Sequence, residues 1–242
     1  MQDFKGKNFA VLGFGVEGES VVNFLLKQGS QVSILDARSE KKFESPKIDE
    51  LKNRGVLFQF EKYPQDFSEF DLIVRSPGIS PLSAVIERVK KQGIEVTSAT
   101  KIFFDLCPCP IIGVTGTKGK GTTSTLIYEM LKKQGADAYL GGNIGLPALE
   151  FLDALKSDSC VVLELSSFQL QDLHKSPQIA VFLMATSEHL DYHRDVTEYI
   201  DAKRNILRFQ NQSDYAILNL DYPASNESDA YTKGQTYYIS RE

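Results

Sequence analysis

The chain reads as an α/β protein built from two doubly wound parallel sheets. Three observations predict this. Strand-length apolar runs alternate with helix-length amphipathic stretches along all 242 residues, the pattern of parallel strands joined by crossover helices. A glycine-rich turn, Gly13-Phe-Gly-Val-Glu-Gly18, follows the first apolar run. A second such turn, within Gly113 to Thr123, follows a later run after a break around Thr97 to Pro110. A new βα series therefore opens there, and two domains are expected.

The run Asn8 to Gly13 predicts a buried first strand. Ser20 to Gln28 predicts a helix stopped by Gly29, because glycine tolerates the backbone turn that ends a helix. Val32 to Asp36 predicts a second strand ending in an acid. This unit carries G-x-G-x-x-G with Asp36 placed 18 residues beyond the last glycine, the dinucleotide fingerprint of a Rossmann-like domain. A helix over Ile48 to Arg54, strands over Val56 to Phe60 and Asp71 to Val74, a helix over Leu82 to Gln92 and a strand over Ile94 to Thr97 complete a first domain, residues 1–97. Arg75-Ser-Pro-Gly-Ile79 follows the Asp71 strand, at the ligand-bearing edge of such a sheet. By local chemistry alone it reads equally as a Pro-Gly type II turn.

A second domain, residues 98–242, is expected to run through strand Ile111 to Thr115, helix Thr123 to Gln134, strand Ala138 to Leu140 and helix Pro147 to Leu155. Strands Cys160 to Leu165 and Ile179 to Leu183, helix Asp195 to Gln210 and strand Tyr215 to Leu218 follow.

Composition narrows the function classes. At 42% hydrophobic and 24% charged residues the chain can bury a core, and a net charge of −5 weighs against a general nucleic-acid binder. No apolar run approaches a membrane span and no signal peptide opens the chain. Neither nucleic acid nor membrane is expected as a partner. Three cysteines, Cys107, Cys109 and Cys160, show no framework spacing, which suggests a reducing, cytoplasmic compartment. Cys107-Pro-Cys109 lacks the four ligands of a structural zinc site and reads as a thiol pair in a linker. A monomer is expected.

The second glycine turn carries the most chemistry. Between a strand and a helix, Gly116-Thr-Lys-Gly-Lys-Gly-Thr-Thr123 lets backbone N–H groups converge on an anion, with the helix N-terminus adding positive potential and Lys120 a mobile charge. This predicts binding of the phosphates of ATP or a relative by Gly116, Thr117, Lys118, Gly119, Lys120, Gly121, Thr122 and Thr123. The strict P-loop pattern is not met, since Val114 stands five residues before Gly119-Lys120 and Gly121 follows the lysine. A Mg²⁺ hydroxyl ligand must therefore come from Thr122 or Thr123.

Four further positions combine polarity with strand ends or helices. Asn143 lies in Gly141-Gly-Asn-Ile-Gly145, where the backbone can approach a ligand closely. Glu164 ends the apolar run Val161 to Leu163 and reads as a Mg²⁺ ligand or as a cap for the Ser166-Ser167 turn. His189 and His193 are four apart, yet the acid and third ligand of a zinc peptidase are missing; either histidine alone also reads as a surface-loop residue. Lys203, taken by itself, reads as a solvated helix lysine.

These blocks in this order resemble the Mur ligase family. The resemblance rests on Val161-Val-Leu-Glu-Leu-Ser-Ser-Phe-Gln169, Gly141-Gly-Asn-Ile-Gly-Leu-Pro147, Ser187-Glu-His-Leu-Asp-Tyr-His193 and the Ala202-Lys203 helix. It covers essentially the whole chain. The first two blocks are most similar to the branch that adds D-glutamate to UDP-N-acetylmuramoyl-L-alanine. The resemblance implies an acyl phosphate formed from ATP and a substrate carboxylate, then attacked by an amine. It implies that Lys120 holds the phosphates, that Thr122, Glu164 and His189 position Mg²⁺, and that Lys203 is carbamylated into a metal-bridging group. Lys120, Glu164, His189 and Lys203 are then the catalytic set. The first domain would hold UDP through Gly15, Val16, Asp36, Ser76, Pro77 and Gly78, in place of the NAD its fingerprint first suggests, with Asn143 meeting the muramoyl substrate or the metal region.

Lys118 stands where the family usually has Asn, Gly121 where it has Ser or Thr, and Ser187 where it has an acid. Gly-Lys-Gly followed by a hydroxyl resembles folylpolyglutamate synthase, a relative with the same chemistry on a folate. The family also has a C-terminal domain that binds the incoming amino acid; this chain is expected to stop inside the central domain and to be inactive alone. An NAD-dependent oxidoreductase and a non-catalytic nucleotide-binding module are the competing readings.

Overall fold

The computed structural model describes residues 4–186, 188 and 192–242. The chain divides into two compact units, Met1–Ile102 and Phe103–Glu242. In the first unit, strands β1 (Asn8–Leu12), β2 (Gln31–Asp36), β3 (Leu57–Phe60), β4 (Leu72–Arg75) and β5 (Glu95–Ser98) form one sheet in the order β3-β2-β1-β4-β5. Every pairing is parallel. Helices α1 (Val16–Lys27), α2 (Ser45–Asn53) and α3 (Ala84–Lys91) alternate with the strands, and α4 (Ala99–Leu106) follows β5 and runs across the division after Ile102. The chain winds outward from β1 on one side, then crosses to β4 on the other. That reversal opens a crevice beyond the carboxyl ends of β1 and β4, where such sheets bind ligands.

The core of this unit explains the winding. Leu12, Leu35, Ile73, Ile86 and Val89 are at most 3% exposed and pack sheet against helix, with Phe67 and Phe70 closing the cluster. Burial on both faces turns β1 into a continuous apolar run, as a central parallel strand requires.

The second unit repeats the plan. Strands β6 (Ile111–Thr115), β7 (Ala138–Gly142), β8 (Cys160–Glu164), β9 (Ile179–Phe182), β10 (Tyr215–Asn219) and β11 (Gln235–Ile239) stand in the order β11-β10-β9-β6-β8-β7, all parallel. Helices α5 (Lys120–Lys133), α6 (Ala148–Phe151), α7 (Ser167–Leu170), α8 (Val196–Arg208) and α9 (Pro223–Asn226) connect them. The strand β6 lies between β8 and β9, so its carboxyl end is again a switch point.

The doubly wound parallel architecture expected from sequence is present in both units. Several details differ. A helix, α4, fills part of the stretch expected to be a break. The helix expected over Pro147 to Leu155 is one α turn followed by a 3-10 turn, Leu152–Ala154. Both α5 and α1 begin earlier than their apolar periodicity suggests, directly at the glycine turns. The short helix α7, whose Ser166-x-x-Gln169 capping box was read only as a turn, and the edge strand β11 were not expected from sequence. Among the described residues no helix is long and apolar enough to cross a membrane.

Candidate functional site

Each unit places its glycine turn at its own switch point. In the first unit, the turn after β1 is fixed by Gly13 N–H donating to Leu35 O at 2.9 Å and Ser76 Oγ donating to Gly13 O at 2.8 Å. A Cβ on Gly18 would lie 2.4 Å from Gly13 O, so the third glycine of the fingerprint is what lets α1 start against the turn. Asp36, at the end of β2, is 3% exposed. Its Oδ2 accepts from Phe14 N–H at 2.8 Å, and Arg38 grips both carboxylate oxygens, Nε to Oδ1 at 3.0 Å and Nη2 to Oδ2 at 2.7 Å. Burial works against the charged carboxyl, but the hydrogen bonds from the Arg38 side chain and from the Phe14 and Arg38 backbone outweigh it and hold Asp36 below the ordinary carboxylate range.

Around this fork lies an open cleft of about 510 Å³. Gly15, Val16, Asp36, Ser76, Pro77 and Gly78, the residues expected to hold UDP, all line it. Arg38 and Tyr63 line it too and were not singled out from sequence; the basic residue two positions after Asp36 was the available signal. Arg75 is also new. It is 1% exposed and donates to Ile79 O at 3.0 Å, bracing the Ser76 to Ile79 turn from beneath.

In the second unit the loop from Gly116 to Gly119 connects β6 to α5. Gly119 takes φ 85°, the left-handed region, as the residue preceding the helix. Thr117 anchors the loop: its N–H donates to Met184 O at 2.7 Å, and its Oγ1 accepts from Thr186 N–H at 3.0 Å and meets the Tyr199 hydroxyl at 3.0 Å. Lys120 Nζ folds back onto Thr117 O at 3.0 Å. Lys118 and Gly119 are exposed, as is Thr122, while Gly121 and Thr123 are half-buried.

Lys203 is 2% exposed, which overturns its reading as a solvated helix lysine. Its Nζ donates to Gly116 O at 2.9 Å and lies 4.6 Å from the centre of the Tyr199 ring. Burial, and next the neighbouring Lys120 ammonium, push its amine down to about 7, against the pull of Glu188 and Glu164. Glu164, at the end of β8, is 4% exposed, and its Oε1 accepts from Asn143 Nδ2 at 3.0 Å. The other oxygen faces the first turn of α5: a Cβ on Gly121 would lie 3.1 Å from Glu164 Oε2. Ser166 caps α7, accepting from Gln169 N–H, so the turn after β8 has its cap without Glu164. His189 and Ser187 lie outside the described residues. His193 is 2% exposed, not a surface-loop residue.

Among the described residues no group of three His, Cys, Asp or Glu side chains is gathered to hold a metal ion. The donor set nonetheless fits Mg²⁺ bound jointly with phosphate. One buried carboxylate beside a glycine loop, with hydroxyls on the first turn of the following helix, is the sparse oxygen shell that this ion shares with phosphate oxygens.

Comparison with known proteins assigns both units to one family. Residues 114–241, more than half of the chain, match the Mur ligase middle domain, and residues 7–98 match the MurD-like N-terminal domain of Mur ligases. A UDP-N-acetylmuramoylalanine–D-glutamate ligase of Acetivibrio thermocellus is 40% identical over 239 residues, 98% of this chain and 51% of that protein. One of Clostridium kluyveri is 40% identical over 240 residues, 99% of this chain and 52% of that protein. The chain thus spans about half the length of the curated relatives it matches. In solved structures, the fold is similar to UDP-N-acetylmuramate:L-alanyl-gamma-D-glutamyl-meso-diaminopimelate ligase of Neisseria meningitides (TM-score 0.65, 18% identity, 96% of this chain and 78% of that one). It is also similar to UDP-N-acetylmuramate-alanine ligase of Thermotoga maritima (TM-score 0.54, 18% identity, 96% and 53%). On the match of its middle domain, the chain belongs to the Mur ligase family.

Proposed function

We infer that this chain carries the nucleotide-handling part of an ATP-dependent amide ligase that joins D-glutamate to UDP-N-acetylmuramoyl-L-alanine in peptidoglycan precursor synthesis. The carrying observation is the cluster at the end of β6. There a glycine loop, Lys120, the buried Lys203 on Gly116 O and the buried Glu164 facing Gly121 stand at one sheet edge. The relatives' names supply the substrates.

In this reading the N–H groups of the loop and the Lys120 ammonium bind the triphosphate of ATP. They stabilise the charge that builds as the γ-phosphoryl group leaves ADP for the substrate carboxylate. The amine of D-glutamate then attacks the acyl carbon; phosphate departs with the carbon–oxygen electron pair, and the nitrogen loses a proton. Glu164, His189, a hydroxyl of Thr122 or Thr123 and Lys203 would hold Mg²⁺, which supplies neutralisation of phosphate charge when bound. Lys203 would take part as a carbamate. Its neutral amine adds to CO₂ and loses a proton, and burial that pushes the amine down to about 7 makes that neutral form accessible. The cleft at β1 and β4 would hold the UDP group, with Asn143 toward the muramoyl part or the metal. Capture of D-glutamate is assigned to the C-terminal domain that family members carry. The protein is taken to work in the cytoplasm as a monomer.

Phosphate release by the product of the complete gene tests this. Release that requires ATP, Mg²⁺, UDP-N-acetylmuramoyl-L-alanine and D-glutamate together is the expected result. Release driven instead by a folate and L-glutamate would contradict the proposed substrate while keeping the chemistry.

A further inference from the structure

Three separate elements supply the cluster at β6: the phosphate loop, the end of β8 with Glu164, and α8 with Lys203. A site assembled from separate elements keeps its geometry only if something ties them together. His193, which the metal and phosphate chemistry does not use, stands where such a tie belongs. Its side chain is fully buried, with Nε2 2.9 Å from Ser167 Oγ and Nδ1 3.4 Å from Glu198 Oε1. Ser167 opens α7, three residues after Glu164. Glu198 lies in the first turn of α8, where its Oε2 accepts from Arg194 N–H at 2.7 Å and its Oε1 accepts from Gln171 Nε2.

The imidazole ring is held by aromatic neighbours. Phe168 stacks on it at 5.6 Å, and Tyr199 meets it edge-on at 5.3 Å. Tyr199 is 1% exposed; its hydroxyl reaches Thr117 Oγ1 at 3.0 Å, and its face lies 4.6 Å from Lys203 Nζ. Contacts therefore run from the turn after Glu164, through His193 and Tyr199, to the phosphate loop and to Lys203.

We propose that His193 is a positioning residue that locks the turn following Glu164 to the helix carrying Lys203 and, through Tyr199, to the phosphate loop. The imidazole suits this task because its two nitrogens reach opposite partners from one rigid ring. A hydrocarbon of the same shape fills the space but leaves the buried Ser167 hydroxyl without that partner. The tie itself rests on geometry; its consequence for nucleotide rests on the reading of the β6 cluster as an ATP site.

The test uses the 242-residue chain with three readouts: amide hydrogen exchange, thermal unfolding, and calorimetric binding of a non-hydrolysable ATP analogue with Mg²⁺. In His193→Phe, amides of Gly116, Thr117 and residues 165–167 are expected to exchange roughly tenfold faster, and analogue affinity to fall by a similar factor. His193→Gln, which keeps a polar group near Ser167, is expected to recover most of both. Val161→Ala, at the opposite end of β8, lowers the melting temperature but should leave those amides and that affinity unchanged. Tyr199→Phe removes only the hydroxyl on Thr117; it should loosen residues 116–117 and spare residues 165–167, and it serves if His193→Phe does not fold. Unchanged loop exchange in both His193→Phe and Tyr199→Phe, or equal loosening in Val161→Ala, would overturn the tie. Absence of analogue binding by the wild-type chain would count against the ATP reading alone, since the exchange comparison still decides the tie.

Discussion

At the end of β2 a buried carboxylate, Asp36, meets its own counter-ion, Arg38, whereas at the end of β6 two lysines stand close enough for Lys120 to help depress Lys203. The two regions share a frame: a parallel sheet, a glycine turn after the central strand, and a helix starting at that turn. They differ in how they leave charge. The first cleft has settled its charge internally and offers hydrogen bonds, an aromatic wall at Tyr63 and shape. The second sets a half-buried Lys120 ammonium beside a buried Lys203 amine that burial and Lys120 push down to about 7, so Lys120 is left as the cation that an anion there would meet. On the proposed reading the same fold makes a recognition cleft in one unit and a place for phosphate chemistry in the other, and the side chains beyond the strand ends make the difference.

The largest expected effect breaks the comparison directly. Lys120→Ala should weaken ATP-analogue binding by roughly tenfold to a hundredfold, the worth of a charge-assisted contact, with UDP binding unaltered. Asp36→Asn should do the reverse, weakening UDP binding while ATP-analogue binding stays. Calorimetry of both variants with both ligands checks this. If either variant weakened both ligands alike, the division of labour between the two sites would be wrong.

A smaller effect sharpens the electrostatic half. The Lys203 amine releases its proton near 7 in the folded protein, against an ordinary value of 10.5. Between those two values the unfolded chain binds the extra proton, so this group makes stability rise with pH. In CO₂-free buffer the wild-type melting temperature should therefore climb relative to Lys203→Met as pH goes from about 7 to about 9, over the window set by the depressed value. Parallel curves for the two proteins would show that Lys203 is not held in its depressed state.

The regions also differ in how far the sequence alone reveals them. Most of the lining of the first cleft was legible, because the fingerprint gives the turn after β1 and the acid ending β2, and the Pro-Gly block after β4 gives Ser76 to Gly78. Arg38 was passed over although a basic residue stands two positions after Asp36, and Arg75 was read only as the head of the Pro-Gly block, because burial of an arginine leaves no periodic trace. In the second unit the loop was legible from its glycines, but the burial of Lys203 was not read. Its signal was present: Tyr199, Ala202, Lys203, Ile206 and Leu207 are all buried on α8 and form a helical stripe, so the lysine interrupts an apolar face. His193 was weighed as a zinc ligand or a surface-loop residue and not as a buried tie, since its partners Ser167 and Glu198 come from α7, a single turn that local propensity does not predict, and from the start of α8. The edge strand β11 escaped for a related reason: its Tyr237, Tyr238 and Ile239 are more than 40% exposed and lack the buried apolar run of a central strand.

The central claim is that the loop between β6 and α5 grips a triphosphate. The most direct test is a crystal structure of this chain soaked with a non-hydrolysable ATP analogue and Mg²⁺. Phosphate density against the backbone N–H groups of residues 117–121, with Lys120 Nζ turned from Thr117 O to the phosphates, is the expected result. An empty loop at saturating analogue, with Lys120 still on Thr117 O or with nucleotide seated only in the Asp36 cleft, would contradict the account.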